Sequence, residues 1–551
     1  MPLGFAALCT KGGSGPACPE RAGLAALHYM KYDPPEKQHL PLPLFIPPEE
    51  IGLPTRGARI TKCTFFHAGD ADPEPFAQMY HFAFSADTFR FEGEIEPVDP
   101  EAPAIHFEAG LPAEWNGKAI QYGGAGLDGF VSPCTMHFHG QYRTHDTALE
   151  KGFVVFSSDG GHEAVLGNFM DCRWIRNRES FENFAHQSLK KTKDAVAYLV
   201  RRFYGRAAEK VYFYGGSNGG RECLKALQQY AQDYDGAVCF FPVLYWVQKV
   251  LMDARNVRAL TRLGKEARID QETQDRILAA EKELCDGQDG ARDGLISNKE
   301  AARENRAMIQ AALERILTKP QAQALEVLSR PLHLPFPLAF GNQDLPGYPV
   351  YEGTAAKVHF DFLDMAEKAG TSDFSSSLIA NLFAGDPAYD TAGFRAEDWK
   401  ERLQECSFWL DACSTDLDAF ADKGGKLILV QGTDDPQVNM YGTIEYYQAL
   451  QKKYGAQKTN SFLRFYLIPG FGHGTDGDFL AMSDFIGAID RWVEEKRPPE
   501  AMTVEDESKA HAGRTRPLCE YPKYPRYRGK GSLDLAASYQ EAPQRLEASG
   551  S

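Results

Sequence analysis

The apolar positions of this sequence fall into short runs that alternate with stretches of helical periodicity from residue 118 onward. The runs are rich in β-branched and aromatic residues and are bounded by glycine, which is typical of buried strands. They cover residues 118–122, 153–157, 211–214, 237–241, 426–430 and 465–468. Between the second and third runs, residues 184–204 repeat apolar side chains at helical spacing. The repeated residues are Leu189, Val196, Leu199, Val200 and Phe203. Strand, helix and strand at this spacing predict an α/β fold with a parallel, doubly wound sheet.

Residues 245–415 break this rhythm. Amphipathic helical stretches occupy residues 251–263, 273–284 and 300–317, and a proline-rich segment with few strand signals follows them. We therefore expect a large lid domain inserted between strands of the sheet. The predicted division is a core formed by residues 1–244 and 416–551, with residues 245–415 as the inserted lid. We assign no strand to residues 1–115, which are rich in proline and aromatic residues.

The composition is that of a globular chain and disfavours several classes of function. Of the 551 residues, 43% are hydrophobic and 25% are charged, which is close to the average soluble protein. Acidic residues outnumber basic ones by 76 to 60, so the net charge is −16, and such a surface repels phosphate backbones. No apolar run reaches the ~18 residues that a bilayer span requires. We expect neither a nucleic-acid partner nor a membrane span.

The cysteines and the first residues favour a cytoplasmic location. The stretch from Met1 to Leu8 has no early positive charge, and Lys11 interrupts it before an export signal could form. Eleven cysteines are an odd number, and no CxxC pair occurs among them. In a chain of this length, such a count fits buried thiols as well as disulfides. The cytoplasmic prediction holds unless an export signal was removed before the numbering begins.

A G-x-S-x-G pattern at positions 215–219 joins the run 211–214 to a helical stretch. A serine on a strained turn between a strand and a helix is the nucleophile of α/β-hydrolases, and glycines let the two elements approach closely. This context predicts Ser217 as the nucleophile. The amide of Asn218 at the helix start is then the first donor to an oxyanion. The alternative is a glycine-rich loop that only turns the chain.

An acid and a histidine follow in the order that this fold requires. Asp434 and Asp435 come directly after the run 426–430, and His473 follows the run 465–468. Both positions are expected at the carboxyl ends of strands, where open α/β sheets build their sites. We prefer Asp435 because a residue before proline is pushed out of helical geometry and suits a loop apex. Either aspartate could instead form the turn, and His473 could be an ordinary loop histidine.

The glycine cluster at positions 123–126 directly follows the run 118–122. The early oxyanion loop of this fold lies at such a place, so we predict Gly124 as the second oxyanion donor. A plain turn explains the same cluster.

Several separate motifs now resemble the tannase and feruloyl esterase family of α/β-hydrolases, over about residues 112–538. They comprise PAEWNGK at 112–118, SDGGH at 158–162, the G-x-S-x-G turn with its following Gly219-Gly220-Arg221, DYDG at 233–236, DLDAF at 416–420 before GGKL at 424–427, and RPLCEYP at 516–522. The resemblance implies secreted-type esterases that cleave aromatic esters such as gallate, ferulate or terephthalate monoesters. It also implies a lid after the nucleophile strand and the triad Ser217, Asp435 and His473. The sequence departs from the family at Gly216 and Gly474, where the family typically has a cysteine pair, and a further cysteine expected near Gln540 is absent.

The segment 285–296 contains three aspartates spaced by glycines, a pattern that can wrap a hard cation such as Ca²⁺. By resemblance to the structural calcium loop of the family, Asp286, Asp289 and Asp293 bind through carboxylates, and Ala291 and Leu295 through carbonyls. The alternative is a solvated acidic turn.

Other groups give weaker signals. His137 and His139 form an H-x-H without a matching downstream ligand set, and we interpret them as loop and surface histidines rather than as zinc ligands. Trp174, Trp246 and Trp409 flank the boundaries of the lid and fit an aromatic pocket or ordinary core packing equally well. Arg395 or another lid arginine could bind a substrate carboxylate, and nothing in the sequence selects one.

The sequence therefore predicts a serine esterase that hydrolyses a small aromatic carboxylic ester through an acyl-enzyme, with structural Ca²⁺ in its lid. Two alternatives stay open: an acyltransferase with the same triad and an alcohol acceptor, and a non-catalytic ligand-binding homologue. The oligomeric state is not indicated.

Overall fold

The computed structural model describes residues 40–142, 145–164, 171–370 and 372–544. The strands are β1 Leu44–Ile46, β2 Ala58–Phe66, β3 Thr88–Ile95, β4 Ile105–Pro112, β5 Lys118–Tyr122, β6 Val154–Ser158, β7 Lys210–Gly216, β8 Gly236–Phe240, β9 Leu332–His333, β10 Asp344–Leu345, β11 Lys426–Gly432, β12 Leu463–Ile468, β13 Ala481–Met482, β14 Thr503–Asp506, β15 Thr515–Pro517, β16 Lys523–Tyr527 and β17 Tyr539–Pro543. The helices are α1 Pro75–Met79, α2 Arg178–Glu182, α3 Ser188–Tyr204, α4 Asn218–Gln229, α5 Trp246–Leu263, α6 Gln271–Cys285, α7 Lys299–Glu304, α8 Arg306–Leu313, α9 Lys319–Ser329, α10 Lys357–Ala369, α11 Phe374–Leu378, α12 Lys400–Leu410, α13 Asp418–Asp422, α14 Met440–Phe462 and α15 Phe485–Glu495. The stretch from Met1 to Leu8, on which the cytoplasmic prediction partly depends, lies outside the described residues, and the location stays a prediction.

A ten-stranded sheet in the order β1-β2-β3-β4-β6-β5-β7-β8-β11-β12 forms the centre of the fold. Its second half, from β6 to β12, is parallel. The six predicted strands are the six members of this parallel half, with bounds that differ by at most two residues. The α/β-hydrolase prediction is thereby confirmed for the fold.

Four antiparallel strands, β1 to β4, extend the sheet beyond β6 and were not predicted. In β3 and β4, polar residues at buried positions hide the strand pattern. Arg90 of β3 is buried and pairs with Asp72 at 2.9 Å and with Glu108 of β4 at 3.8 Å. Burial raises the pKa of Glu108 to about 7, against the opposing effect of Arg90. A strand with paired charges inside does not read as an apolar run.

The helical stretches agree with the predictions except at their ends and at one break within residues 300–317. The stretch 184–204 begins as a π-helical turn, Asn183–Gln187, and continues as α3. The stretch 300–317 divides into α7 and α8 at Asn305. The side chain of Asp270 accepts a hydrogen bond from Thr273 N at 2.9 Å, which fixes the start of α6.

Helices α5 to α12 lie in sequence between β8 and β11 and share a buried apolar cluster with the sheet. Ile277 and Leu325 of these helices belong to the same cluster as Val238 and Leu429 of the sheet. A second cluster packs α3 against the antiparallel strands. The division into core and lid stays a prediction. No helix in the described ranges is both long and apolar enough to cross a membrane.

The parallel strands place the candidate residues at one edge of the sheet. Ser217 follows β7, Asp435 lies just beyond β11, and His473 follows β12. Because parallel strands end on the same side, these three residues converge above the carboxyl edge.

Candidate active site

Ser217 occupies a strained turn between β7 and α4. Its φ of 62° and ψ of −123° lie where non-glycine residues rarely go. A side chain at Gly215 would overlap the backbone of Gly219, and one at Gly220 would come within 2.6 Å of the Phe240 carbonyl oxygen. Only glycines at these positions allow strand and helix to approach so closely. This is the geometry of a nucleophile elbow.

Asp435 and His473 form a buried hydrogen-bonded pair. His473 Nδ1 lies 2.8 Å from Asp435 Oδ2. The other carboxylate oxygen accepts the amides of Gln437 at 2.8 Å and Val438 at 2.9 Å. These bonds fix the carboxylate and leave Nε2 of His473 as the ring nitrogen that can take up a proton.

Asp434, the alternative acid, is engaged elsewhere. Its Oδ1 forms an ion pair of 2.7 Å with Lys299 of α7, whose side chain is fully buried. Lys299 also donates to the backbone carbonyl of Glu352 at 2.5 Å. Burial raises the pKa of Asp434, and Lys299 opposes this change. The structure therefore pairs Asp435, and not Asp434, with the histidine. No motif in the sequence pointed to Lys299.

The two predicted oxyanion donors differ in their environment. Asn218 is the first residue of α4, and the amide at such a position has no carbonyl within the helix to bond to. The amide of Gly124, in contrast, donates to Glu222 Oε2 at 2.8 Å. That hydrogen is engaged in this structure, and the role of Gly124 as an oxyanion donor stays a prediction. Glu222 lies on α4, far from the glycine cluster in sequence, so no pattern in the cluster indicates it.

A buried network of polar side chains surrounds the start of α4, directly after Ser217. Asn218 Nδ2 donates to Asp128 Oδ1 at 2.9 Å, and Arg221 Nε donates to Asn218 Oδ1 at 2.6 Å. Arg221 also donates to the carbonyls of Phe184 and Ala185. Burial and the nearby carboxylate of Glu222 raise the pKa of Asp128 well above its ordinary value. The network fixes the start of α4, where an oxyanion would be bound. Asn218 and Arg221 are close in sequence, but Asp128 lies 90 positions from Asn218, so no local motif connects it to them.

The predicted calcium loop contains carboxylate donors of the kind that Ca²⁺ binds. Asp286 accepts the amides of Asp293 at 3.2 Å and Gly294 at 3.1 Å. Asp289 Oδ2 is buried without a hydrogen-bond partner among the described residues, and burial raises the pKa of Asp289 to about 7.

Other contacts of the same loop argue against a ready-made site. Asp293 Oδ2 accepts from Arg516 at 2.5 Å and from Tyr539 at 2.6 Å. Across the described ranges, no three carboxylate, imidazole or thiol side chains are grouped as metal ligands.

The donor chemistry of the loop and the buried Asp289 oxygen without a hydrogen-bond partner, in contrast, fit a hard cation. The predicted Ala291 and Leu295 carbonyls belong to the same loop.

The three tryptophans and Arg395 lie in different surroundings. Trp174 stacks on His162 with ring centroids 3.5 Å apart, and Trp409 stacks on His186 at 5.2 Å. Trp246 is buried in the main apolar cluster. The side chain of Arg395 is 70% exposed beside Glu397.

The histidine pair does not lie on the surface as predicted. His137 is half-buried with its Nδ1 2.8 Å from the Tyr142 carbonyl oxygen, and His139 is buried. His139 lies next to Gly216 and Gly474, the two positions where the resemblance led us to expect cysteines. None of the nine cysteines in the described ranges forms a disulfide.

Comparisons with known proteins show which family the chain is similar to. The profile of the family described as tannase and feruloyl esterase matches residues 90–542. An uncharacterized esterase of Agrobacterium fabrum is 34% identical over 90% of this chain and 91% of its own length. The mono(2-hydroxyethyl) terephthalate hydrolase of Piscinibacter sakaiensis is 28% identical over 80% of this chain and 82% of its own. The solved structure of feruloyl esterase B from Aspergillus oryzae covers 90% of this chain and 98% of its own, with a TM-score of 0.69 and 20% identity. The chain therefore belongs to the tannase and feruloyl esterase family and is a carboxylic ester hydrolase with an α/β-hydrolase fold.

Proposed function

We propose that this enzyme hydrolyses a small aromatic carboxylic ester through a serine acyl-enzyme. The observation that carries the proposal is the 2.8 Å hydrogen bond between Asp435 and His473, at the same sheet edge as the strained turn of Ser217. A nucleophile, a base and a group that orients the base are the parts that acyl transfer requires.

The mechanism follows from the roles of these groups. Ser217 Oγ attacks the ester carbonyl while His473 Nε2 takes its proton, and Asp435 stabilises the imidazolium. The tetrahedral oxyanion accepts a hydrogen bond from the backbone amide of Asn218. His473 then returns the proton to the leaving alcohol, which leaves an acyl group on Ser217. In the second half, His473 deprotonates water, the resulting hydroxyl adds to the acyl carbon, and the proton passes to Ser217 as the acid departs.

The aromatic acid is the more specific part of the proposal, and the relatives support it. Two of the proteins that the chain resembles are named for terephthalate and feruloyl esters. Burying one aromatic ring stabilises a bound acyl group by about 1.5–3 kcal/mol. An aliphatic acyl chain gains a similar burial term, so a preference for aromatic acids comes from contacts between aromatic rings, which are worth about 0.5–1.5 kcal/mol beyond burial. Such contacts would raise kcat/KM for aromatic esters by about 2- to 10-fold over aliphatic esters of similar size and reactivity.

A panel of esters tests this expectation. We expect methyl ferulate, methyl gallate or mono(2-hydroxyethyl) terephthalate to be hydrolysed with kcat/KM about 2- to 10-fold above that of methyl hexanoate. The measurement is initial rates by chromatography of the released acid. Methyl hexanoate serves as the control with the same leaving alcohol as the first two esters. Equal rates for all methyl esters would refute the aromatic preference and leave the esterase mechanism standing.

The same assay separates hydrolysis from acyl transfer. With added methanol or glycerol, a hydrolase releases mainly the free acid, whereas an acyltransferase yields mainly the new ester. A new ester as the main product at low alcohol concentration would favour the acyltransferase alternative.

We also propose that the loop of Asp286, Asp289 and Asp293 binds Ca²⁺ as a structural ion. When bound, the cation neutralises the clustered carboxylates and stabilises the lid. The unpartnered buried oxygen of Asp289 supports this assignment. No step of the ester chemistry requires the ion.

Chelation tests the calcium proposal. A ligand present at 100 times its Kd stabilises a protein by about 2.7 kcal/mol, so we expect EDTA to lower the unfolding temperature and added Ca²⁺ to restore it. Asp289→Asn should abolish the EDTA effect, whereas Glu272→Gln, at an exposed position of α6, should retain it. An unfolding temperature insensitive to EDTA, with no calcium in the purified protein, would contradict the proposal.

A further inference from the structure

The ring of His139 occupies the space between the two loops that carry Ser217 and His473. A Cβ added at Gly216 would overlap His139 Cδ2, and a Cβ added at Gly474 would overlap His139 Nδ1. Gly216 precedes Ser217, and Gly474 follows His473. One imidazole therefore contacts the backbone next to both groups that exchange a proton in the proposed mechanism.

Its surroundings hold His139 in this place. The residue is 5% exposed, and its backbone carbonyl accepts the hydroxyl of Tyr214, on β7, at 2.7 Å. Its ring meets Phe241 edge-on with centroids 4.7 Å apart, and the ring of Phe241 lies 4.5 Å from that of His473. His139 is thus anchored to the strand that ends at the elbow and packed through Phe241 against His473.

The imidazole of His139 is suited to a position next to His473 because it stays neutral. Burial, together with the charge of His473, keeps the pKa of His139 well below its ordinary value. A neutral ring fills the space without placing a second positive charge 6.2 Å from the imidazolium that forms during catalysis.

We propose that His139 is a positioning residue that sets the distance between the loop of Ser217 and the loop of His473. The inference rests on the proposed function, because it assumes that Ser217 and His473 act together. It explains why position 216 holds glycine, since a larger residue there would push the ring out of place. At position 474, a φ of 91° favours glycine independently of the ring. A misplacement of about 1 Å costs on the order of 100-fold in rate.

A double-mutant cycle between positions 139 and 216 tests the proposal. The variants are His139→Ala, Gly216→Ala and the double variant. We expect each single change to lower kcat on p-nitrophenyl acetate by about 10- to 100-fold with little change in KM. Because the His139→Ala variant has lost the ring that a methyl group at position 216 would meet first, Gly216→Ala should cost less than about threefold in that background.

Gly215→Ala is the matched control. Its added methyl group meets the backbone of Gly219 rather than His139, so its cost should be the same with and without the imidazole. Equal costs of Gly216→Ala in both backgrounds would overturn the proposal. A His139→Ala variant that keeps the wild-type kcat below its unfolding temperature would also overturn it, since only a structural role would then remain.

The outcome is separable from that of the proposed function. Loss of the aromatic preference leaves the cycle on p-nitrophenyl acetate intact. If the wild type hydrolyses no ester, the same cycle is measured on the unfolding temperature: Gly216→Ala should lower it in the wild type and not in the His139→Ala background. Absence of that coupling would refute the packing on which the proposal depends.

Discussion

Ser217→Ala is expected to lower kcat for every ester by about 10⁴- to 10⁶-fold, because alanine cannot form the acyl-enzyme. The remaining rate comes from binding and from the donor at Asn218, which polarises the carbonyl towards water. KM should change little, since the hydroxyl contributes to the reaction and not to ground-state binding. The measurement is steady-state hydrolysis of p-nitrophenyl acetate and of the best aromatic ester.

The exposed serine at position 532 offers a control, since Ser532→Ala should leave all rates unchanged. A further check is mass spectrometry of the wild type during turnover, which should detect an acyl adduct on the peptide that contains Ser217. Undiminished hydrolysis by Ser217→Ala, in a preparation free of contaminating esterase, would mean that the nucleophile is another group.

Asp435→Asn should lower kcat by about 10⁴-fold while the protein stays folded. An asparagine oxygen can still accept from Nδ1, but its amide group can turn towards the ring, stabilise the wrong tautomer and leave no negative charge for the imidazolium. Two backbone amides, of Gln437 and Val438, hold the side chain in its present orientation. The measurement is kcat beside the unfolding temperature.

The neighbouring residue provides a matched comparison. Asp434→Asn removes the partner of the buried Lys299 and should lower the free energy of unfolding by about 3–5 kcal/mol. We expect it to reduce kcat by less than about tenfold at temperatures where the variant is folded. If Asp434→Asn abolished turnover and Asp435→Asn did not, the assignment of the acid would be reversed.

The parallel half of the sheet was predictable because strands covered on both faces are almost purely apolar. Strands β5 and β11 begin at the residues expected from the sequence. Strands β3 and β4 were missed because Arg90 and Glu108 are buried as a charge pair, and a pattern of apolar residues cannot reveal pairing between distant charges.

The positions of Ser217, Asp435 and His473 could be predicted because each follows a recognisable strand. Residues that contact them from elsewhere in the sequence could not. His139 belongs to a segment with no strand or helix of its own, and its two glycine neighbours are 77 and 335 positions away. Glu222, on α4, likewise accepts a hydrogen bond from the amide of Gly124, which follows β5. Such contacts depend on how loops close, which local pattern does not encode.

The ion pair of Lys299 with Asp434 limits how far the region between β8 and β11 can be exchanged. A chimaera that receives this region from a relative without a lysine at position 299 would keep the carboxylate of Asp434 buried and unpaired. That carboxylate is adjacent in sequence to Asp435, so the defect would act directly on the residue that orients His473. Exchanging the helices alone would then give a less stable enzyme, so the exchanged region has to keep a lysine at position 299.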